Sequence, residues 1–223
     1  MSESSTATRV VLVRHGESEW HAENRYAGSS DVGMTDRGHA QAEDLATWAR
    51  AVRPDAVWCS PQTRAHETAT PSAAALGVAP VVDPRLRELD FGIAEGLTRD
   101  EMRERFPDDL ERFVDDPVQG RFPGGEEPTD AITRFPACLA DVAGRHPGGR
   151  VLVVTHSTTV RLALCSLLGI DPARYRDVMP GLGNCTLTEL ALQPHGRAAL
   201  LTYNAPPLET VAAAGRTTGG HPR

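Results

Sequence analysis

The chain has 223 residues, of which 40% are hydrophobic and 24% charged, and its formal net charge is −7 at pH 7. This length predicts one domain, and the negative charge argues against nucleic acid or a membrane surface as the partner, because both are polyanionic. All 23 basic residues are arginines, so no lysine is available for a Schiff base or a phosphate-binding P-loop.

The two ends of the sequence differ from the part between them. Residues 1–8 lack the basic start and apolar core of a signal peptide, and we predict that they form a disordered leader. Residues 205–223 are rich in Pro, Gly, Ala and Thr and are predicted to be a flexible tail. No apolar run approaches the roughly 20 residues that span a membrane.

The cysteines are widely spread and contain no CxxC pair, which is not the spacing of a zinc site. Free core thiols in a reducing compartment are the favoured interpretation, and this predicts a cytoplasmic protein. We expect no metal and no cofactor. The four residues are Cys59, Cys138, Cys165 and Cys185.

Between the two ends, strand and helix patterns alternate. Strands are predicted at 10–13, 56–58, 79–82 and 151–154, followed by an antiparallel edge pair at 185–192 and 199–203. Helices are predicted at 37–52, from Ser60-Pro61 to 76, at 98–105, 130–145 and 159–168, with another short helix starting at Asp171-Pro172. This alternation predicts an α/β fold, a three-layer sandwich with a largely parallel central sheet flanked by helices.

Residues 9–204 are predicted to form the catalytic domain, and 106–129 form an insertion within it. The insertion is broken by Pro and Gly and contains three aromatic residues, Phe106, Phe113 and Phe122. Two interpretations of these rings stay open, a lid over the site or a small satellite core.

Two apolar strands end in the same manner. The run VVLV continues into Arg14-His15-Gly16, and VLVV continues into Thr155-His156-Ser157. Because ligands bind beyond the carboxyl ends of the strands in such sheets, both histidines are expected at the binding edge. The stretch CSPQTR follows another strand and brings Arg64 to the same edge. Two arginines, two histidines and a helix N-terminus suit a phosphoryl dianion.

A fourth motif, RLRELDFGIAEGLT at 85–98, contains the candidate acid Glu88. Neighbouring anionic oxygens favour the protonated form of a carboxyl group, so Glu88 near a phosphate pocket is a plausible proton donor. The alternative is a solvated ion pair between Glu88 and Arg85 or Arg87. Glu95 is the next candidate for the acid.

Taken together, RHGESEW, CSPQTRAHETA, LRELDFGIAEGLT, PGGEE and VLVVTHS resemble the histidine phosphatase superfamily, the phosphoglycerate mutase-like group with an RHG motif. The resemblance covers about residues 10–169. It implies that His15 is the nucleophile and carries a phosphohistidine, without a metal. It further implies that Arg14, Arg64 and His156 neutralise the phosphoryl oxygens and that Glu88 is the acid and base.

The resemblance also implies substrate contacts, and here the sequence departs from the family pattern. Gly28 matches a glycine whose backbone N–H approaches the phosphate, but Ala27 precedes it where a polar residue is usual. His21 stands where Asn is usual, and an exposed loop histidine is the competing interpretation. Ser157 stands where Gly is usual, which keeps the backbone N–H and adds a hydroxyl. These departures suggest an unusual substrate.

Three functions are weighed for this chain. The first is a phosphatase that acts on a small phosphate ester, because the motif LDFGIAEGLT lacks the Asn-Lys run of the cofactor-dependent mutases. The second is a mutase, which transfers the phosphoryl group to another hydroxyl. The third is a non-catalytic member that binds a phospho-ligand or a protein. A homodimer would follow the family habit.

Overall fold

The computed structural model describes residues 7–193 and 197–211. Six strands form one mixed sheet in the order β3-β2-β4-β1-β5-β6. The β1/β4, β4/β2 and β2/β3 pairs are parallel, whereas the β1/β5 and β5/β6 pairs are antiparallel. The strands are β1 (Thr8–Arg14), β2 (Ala56–Cys59), β3 (Val81–Val82), β4 (Arg150–Thr155), β5 (Leu187–Leu192) and β6 (Ala198–Ala205).

Helices cover both faces of this sheet, which confirms the predicted three-layer α/β sandwich. Alternate residues of β1 face opposite layers: Val11 and Val13 pack in one core, and Val10 and Leu12 in the other. The helices are α1 (Asp36–Val52), α2 (Thr63–Leu76), α3 (Arg99–Arg105), α4 (Pro107–Asp115), α5 (Pro128–Arg145), α6 (Ser157–Leu168) and α7 (Tyr175–Val178).

The smaller core lies between the sheet and the helices α1 and α2, and the larger one lies under α5 and α6. The central residues of β1 and β4, 10–13 and 151–154, are all apolar because both faces of these strands are covered. All four cysteines are buried and free. Within the described part of the chain, no helix has both the length and the apolar character needed to cross a membrane.

Several local predictions are confirmed. Thr98 and Glu101 form the capping box of α3, with each side chain accepting from the other's backbone N–H. Gly169 ends α6 in the left-handed conformation at φ 69°. The late strands pair antiparallel at the sheet edge. The predicted start of the short helix at Asp171 is also found, with its side chain accepting from the Ala173 N–H.

The prediction for the start of α2 was wrong by two residues. Ser60-Pro61 has the pattern of a cap followed by a first-turn proline, but the helix begins at Thr63 with Gln62 as its N-cap. The Ser60 hydroxyl lies 2.8 Å from His156 Nε2, so a distant residue of the fold engages it. The strand predicted at 79–82 is shorter, with only Val81–Val82 paired.

The folded region extends further towards both ends of the chain than predicted. Thr8 belongs to β1 and is 3% exposed, with its hydroxyl donating to the carbonyl of His146 at 2.9 Å. At the other end, β6 includes Ala205, and 207–211 form a helical turn in which Val211 packs against the smaller core. The remaining residues of the predicted leader and tail, 1–6 and 212–223, lie outside the described residues.

The insertion at 106–129 belongs to the larger core. Phe113 and Phe122 are each 1% exposed, and their ring centroids lie 4.3 Å apart. Tyr26 and Phe91 pack edge-on against the same rings. Of the two sequence-based interpretations, the structure favours packed core, although the rings join the main core rather than a satellite. Opening of the insertion as a lid stays a prediction.

This packing predicts that the insertion contributes to global stability. We expect Phe113→Ala to lower the free energy of unfolding by about 3–5 kcal/mol, because it leaves a cavity between packed rings. The neighbouring Val114, 48% exposed, is the matched control, and Val114→Ala is expected to change it by less than about 0.5 kcal/mol. Urea unfolding followed by circular dichroism measures both, and equal effects would contradict the packed arrangement.

Candidate active site

The parallel pairing of β1 and β4 brings the two strand-end histidines together. Arg14 lies opposite Thr155 in the register, so the next residue of each strand, His15 and His156, emerges at the same edge of the sheet. Their ring centroids are 5.2 Å apart, and the two side chains are 6% and 0% exposed. The expectation that both histidines meet at the carboxyl edge is confirmed.

The hydrogen bonds of His15 define which ring nitrogen carries the proton. Arg64 Nε lies 3.3 Å from His15 Nε2, and because a guanidinium can only donate, Nε2 is the acceptor. The proton therefore sits on Nδ1, which donates to the carbonyl of Gly16 at 2.7 Å. Burial, followed by the charges of Arg64 and Arg14, holds the pKa of His15 well below 6.5. The ring is neutral at pH 7, and the lone pair on Nε2 carries no proton and accepts the Arg64 Nε–H.

Arg64 is fully buried, and backbone carbonyls of one loop hold its guanidinium. NH1 donates to Ser30 at 2.8 Å, and NH2 donates to Ala27 and Gly28 at 3.1 and 2.9 Å. Burial is the main reason that the pKa of Arg64 is lowered. A buried cation with neutral partners creates a strong local preference for an anion.

Glu95 shapes the loop that holds Arg64. Its carboxylate accepts from the backbone N–H groups of Gly28, Ser29 and Ser30 at 3.0–3.2 Å. The expectation that the Gly28 N–H approaches a phosphate is therefore corrected, because this N–H is directed to Glu95. A Cβ at residue 28 would collide with Glu95 and with the carbonyl of Leu89, which explains the glycine. Glu95 therefore stabilises the conformation of this loop.

Arg14 lines the pocket. Its NH1 donates to the carbonyl of Leu182 at 2.8 Å, and its NH2 lies 3.4 Å from both ring nitrogens of His21. Burial lowers the pKa of Arg14 to about 10. The pKa of His21 is also lowered, by burial and then by Arg14. Of the two interpretations of His21, the structure supports the one in which this ring lines the pocket.

His156 lies behind His15 and is held from the far side by Ser60, whose Oγ is 2.8 Å from Nε2. Burial, Arg64 and His15 together hold its pKa well below 6.5. Within the described chain, His156 Nδ1 and Arg14 Nε are buried without a hydrogen-bond partner. Leaving a buried polar atom unpaired costs about 1–3 kcal/mol, so these two atoms indicate that a bound polar group completes the site.

Glu88 is 5% exposed, and its carboxylate faces the N-terminus of α6. Oε1 accepts from the backbone N–H groups of Leu89 and Thr159, and Oε2 accepts from that of Thr158, all at 2.9–3.0 Å. Oε2 thus accepts one hydrogen bond fewer than Oε1. The predicted alternative, an ion pair with neighbouring arginines, is wrong: Arg85 pairs with Asp83 and Asp141, and Arg87 pairs with Glu126.

Two further residues position the site and were missed by the sequence analysis. Gln62 bridges two of its parts, because Nε2 donates to the carbonyl of Gly28 at 2.6 Å and Oε1 accepts from the Glu88 N–H at 2.8 Å. Asn184 Nδ2 donates to the carbonyl of His15 at 2.8 Å. Gln62 stands two residues before Arg64 in the CSPQTR motif, which is a usable signal, whereas the loop around Asn184 has no distinctive pattern.

A cavity of about 440 Å³ opens onto these residues. Arg64 and His156 lie behind His15, whereas the following predicted site residues line the cavity itself: Arg14, His15, His21, Glu88 and Ser157. Among the described residues, no group of three or more His, Cys, Asp or Glu side chains is arranged to hold a metal ion. Five arginines, two histidines and the Glu88 carboxylate therefore line one cavity at the edge of the sheet; the arginines are Arg14, Arg25, Arg99, Arg161 and Arg176.

The fold and this pocket define a class, an α/β protein with a cationic pocket for a dianion at the carboxyl edge of its sheet. A family model described as "Histidine phosphatase superfamily (branch 1)" matches residues 10–205. The chain belongs to this superfamily, as the sequence motifs indicated.

Two similar sequences and two similar structures illustrate the relationship. Phosphoserine phosphatase 1 of Hydrogenobacter thermophilus is 34% identical over 75% of this chain and 79% of its own length. The probable phosphoglycerate mutase GpmB of Enterobacter sp. is 35% identical over 83% of this chain and 85% of its own.

A mycobacterial glucosyl-3-phosphoglycerate phosphatase, solved in complex with VO3, superposes with a TM-score of 0.81 at 25% identity, covering 88% of this chain and 99% of that one. YhfR of Bacillus stearothermophilus superposes with a TM-score of 0.82 at 28% identity, covering 89% and 98%. Both the sequence and the structural matches therefore extend over most of the chain.

The neutral histidines predict a pH dependence of stability. Between pH 6.5 and 5 the unfolded chain binds protons at positions 15 and 156 that the folded chain does not, so the free energy of unfolding falls as the pH falls. Replacing His15 with Asn is expected to reduce this slope by up to about 1.4 kcal/mol per pH unit, the value for one proton. Urea unfolding in phosphate-free buffers tests this, and identical slopes in both proteins would contradict it.

Proposed function

We propose that the protein is a metal-independent phosphomonoesterase that hydrolyses a small phosphorylated metabolite through a phosphohistidine on His15. The observation that carries this proposal is the hydrogen bonding of His15. Nδ1 is fixed by the carbonyl of Gly16, while the unprotonated Nε2 accepts a long hydrogen bond of 3.3 Å from the buried Arg64, which an incoming phosphoryl group can replace. A neutral, oriented imidazole next to two guanidiniums is suited to attack a bound phosphoryl group.

In the first step, the Nε2 lone pair of His15 attacks phosphorus. A P–N bond forms while the bond to the ester oxygen breaks, and Glu88 protonates the leaving oxygen. Arg14, Arg64 and His156 stabilise the charge on the equatorial oxygens, with donors such as Arg14 Nε and His156 Nδ1 already desolvated. Donors of this kind contribute roughly 3–4 kcal/mol each to a transition state.

In the second step, water attacks the phosphohistidine. Glu88, now a carboxylate, accepts the proton of the water, and the electrons of the P–N bond return to His15 Nε2. Inorganic phosphate leaves, and the neutral ring is restored. The three backbone N–H groups that hold Glu88 keep its carboxylate in one orientation during both steps.

A mutase is the second candidate, because several curated relatives carry a phosphoglycerate mutase name. The reactions differ in whether water or a second hydroxyl accepts the phosphoryl group. The absence of lysine from the whole sequence supports the phosphatase, because the Asn-Lys run of the cofactor-dependent mutases is not present. A purely binding role is disfavoured because every expected catalytic side chain is retained.

Small phosphate esters are the substrate class that these relatives support. We place His21 and Ser157 among the substrate contacts because both line the cavity. Gly28 contributes through its carbonyl, which holds Arg64 and Gln62 in place. The homodimer and the cytoplasmic location stay predictions.

The phosphohistidine mechanism predicts that His15→Ala lowers phosphate release by more than about 10⁴-fold, because the nucleophile is lost. Release is measured from a panel of phosphorylated metabolites in the presence of EDTA. His66→Ala, an exposed histidine on α2, is the matched control and should retain activity. Activity that EDTA removes would contradict metal independence, and substantial activity in His15→Ala would exclude the phosphohistidine.

The acid role of Glu88 predicts a dependence on the leaving group. Glu88→Gln is expected to slow alkyl phosphates by about 10²–10⁴-fold and p-nitrophenyl phosphate by much less, because nitrophenolate needs little protonation. Glu95→Gln, which perturbs the loop under Arg64, should slow both substrates by similar factors. Equal losses in Glu88→Gln would move the acid role to another residue.

A further inference from the structure

The cavity contains a second pair of arginines away from His15. Arg161 on α6 and Arg176 in α7 both line it. Both guanidiniums stack on the ring of Tyr175, with the Cζ atoms 4.6 and 5.3 Å from its centroid. Tyr175 is 2% exposed, so its ring is a fixed support for the two cations.

Neutral groups hold these guanidiniums in place. Arg161 donates to the carbonyls of Ser157 and Met179 at 3.1 and 3.2 Å. Arg176 Nε donates to the hydroxyl of Tyr175 at 3.0 Å, and its Cζ lies 4.3 Å above the ring of Phe113. These contacts orient both side chains without neutralising their charge.

The lack of a counter-charge, combined with partial burial, distinguishes this pair from the two remaining arginines of the cavity lining: Arg25 pairs with Glu23 and Glu101, and Arg99 is exposed. Within residues 7–193 and 197–211, no carboxylate lies within 4.0 Å of Arg161 or Arg176. Arg174, two residues before Arg176, is 64% exposed and lies 4.0 Å from Asp177. The NH2 groups of the lining pair are engaged by none of the hydrogen bonds described above, so their donors remain for a ligand.

The second pair belongs to the same cavity as the phosphate pocket. Arg161 lies one helical turn beyond Ser157 and is close enough to Arg14 for its charge to lower the pKa of that residue. The cavity of about 440 Å³ is continuous from His15 to Arg176. One small molecule can therefore contact both regions at the same time.

We propose that Arg161 and Arg176 bind a second anionic group of the substrate, either a carboxylate or a second phosphate. This inference rests on the proposed phosphatase function and narrows its substrate class to phosphomonoesters with two anionic ends. A guanidinium presents paired N–H donors in a plane, which matches the oxygens of both anions. The phosphoryl group at His15 reacts, and the second group aligns the ester.

The test compares pairs of esters that differ by one anion. 3-Phosphoglycerate is paired with glycerol 3-phosphate, and the bisphosphate of propane-1,3-diol is paired with its monophosphate. In one of the two pairs, we expect kcat/KM to be at least about tenfold higher for the ester that has the additional anion. A difference of this size is typical of charge-assisted hydrogen bonds. The pair that shows the preference identifies the anion as carboxylate or phosphate.

Variants assign the preference to the two side chains. Arg161→Gln and Arg176→Gln are each expected to reduce the ratio of kcat/KM values within that pair by about tenfold or more. Arg161→Lys keeps the charge and is expected to retain part of the ratio. Arg174→Gln, outside the cavity, should leave the wild-type ratio unchanged.

The outcomes separate the two proposals. If the wild-type protein hydrolyses p-nitrophenyl phosphate but shows no preference in either pair, the second anion site is overturned and the phosphatase stands. A loss in the Gln variants that is equal for both members of a pair also overturns it, since that indicates a structural role. If the wild-type protein hydrolyses none of these esters, both proposals are overturned.

Discussion

The buried charge of Arg64 is the constraint on which the site depends. Its guanidinium is held by three carbonyls of the loop 27–30 and by His15, with no carboxylate within 4.0 Å among the described residues. Keeping a cation out of water without a paired anion is costly. Two side chains hold the loop in this conformation. The carboxylate of Glu95 accepts from the backbone N–H groups of the loop, and Gln62 connects the loop to Glu88. A buried cation of this kind favours the binding of an anion, and under the proposed function that anion is the phosphoryl group.

In the proposed mechanism, the same cations give His15 its reactivity. Arg14 and Arg64 lower its pKa together with burial, so the ring is neutral when an ester arrives. In the proposed mechanism, the cations that lower the pKa of the ring also stabilise the transition state once the phosphoryl group is bound. Activation of the nucleophile and stabilisation of the phosphoryl charge therefore use one set of groups. This double use requires that the cations and His15 are held at fixed positions, and the strand register of β1 and β4 fixes the positions of Arg14 and His15.

Sequence reasoning reached the fold and the central residues because both follow from local patterns. Continuous apolar strands followed by Arg-His or Thr-His indicate the carboxyl edge of a parallel sheet. It was wrong where a distant side chain decides the local outcome. The Gly28 N–H is directed to Glu95, and the Ser60 hydroxyl is engaged by His156 rather than by the first turn of α2. The pairing of Arg161 with Arg176 on Tyr175 has no local signature either, because helix packing alone brings α6 and α7 together.

The pairing of β1 with β4 joins two segments that are far apart in the sequence, which affects when the site can form during synthesis and folding. Val10 lies beside Val151 in the sheet, so the catalytic edge closes a loop that contains most of the chain. Contacts of such long sequence separation form slowly, after local helices and neighbouring strands have assembled. A nascent chain emerging from the ribosome carries His15, Arg64 and Glu88 long before β4 and His156 have been synthesised. Under the proposed mechanism, phosphoryl transfer therefore requires the chain at least through β4 and His156, and its recovery during refolding would report the pairing of β1 with β4.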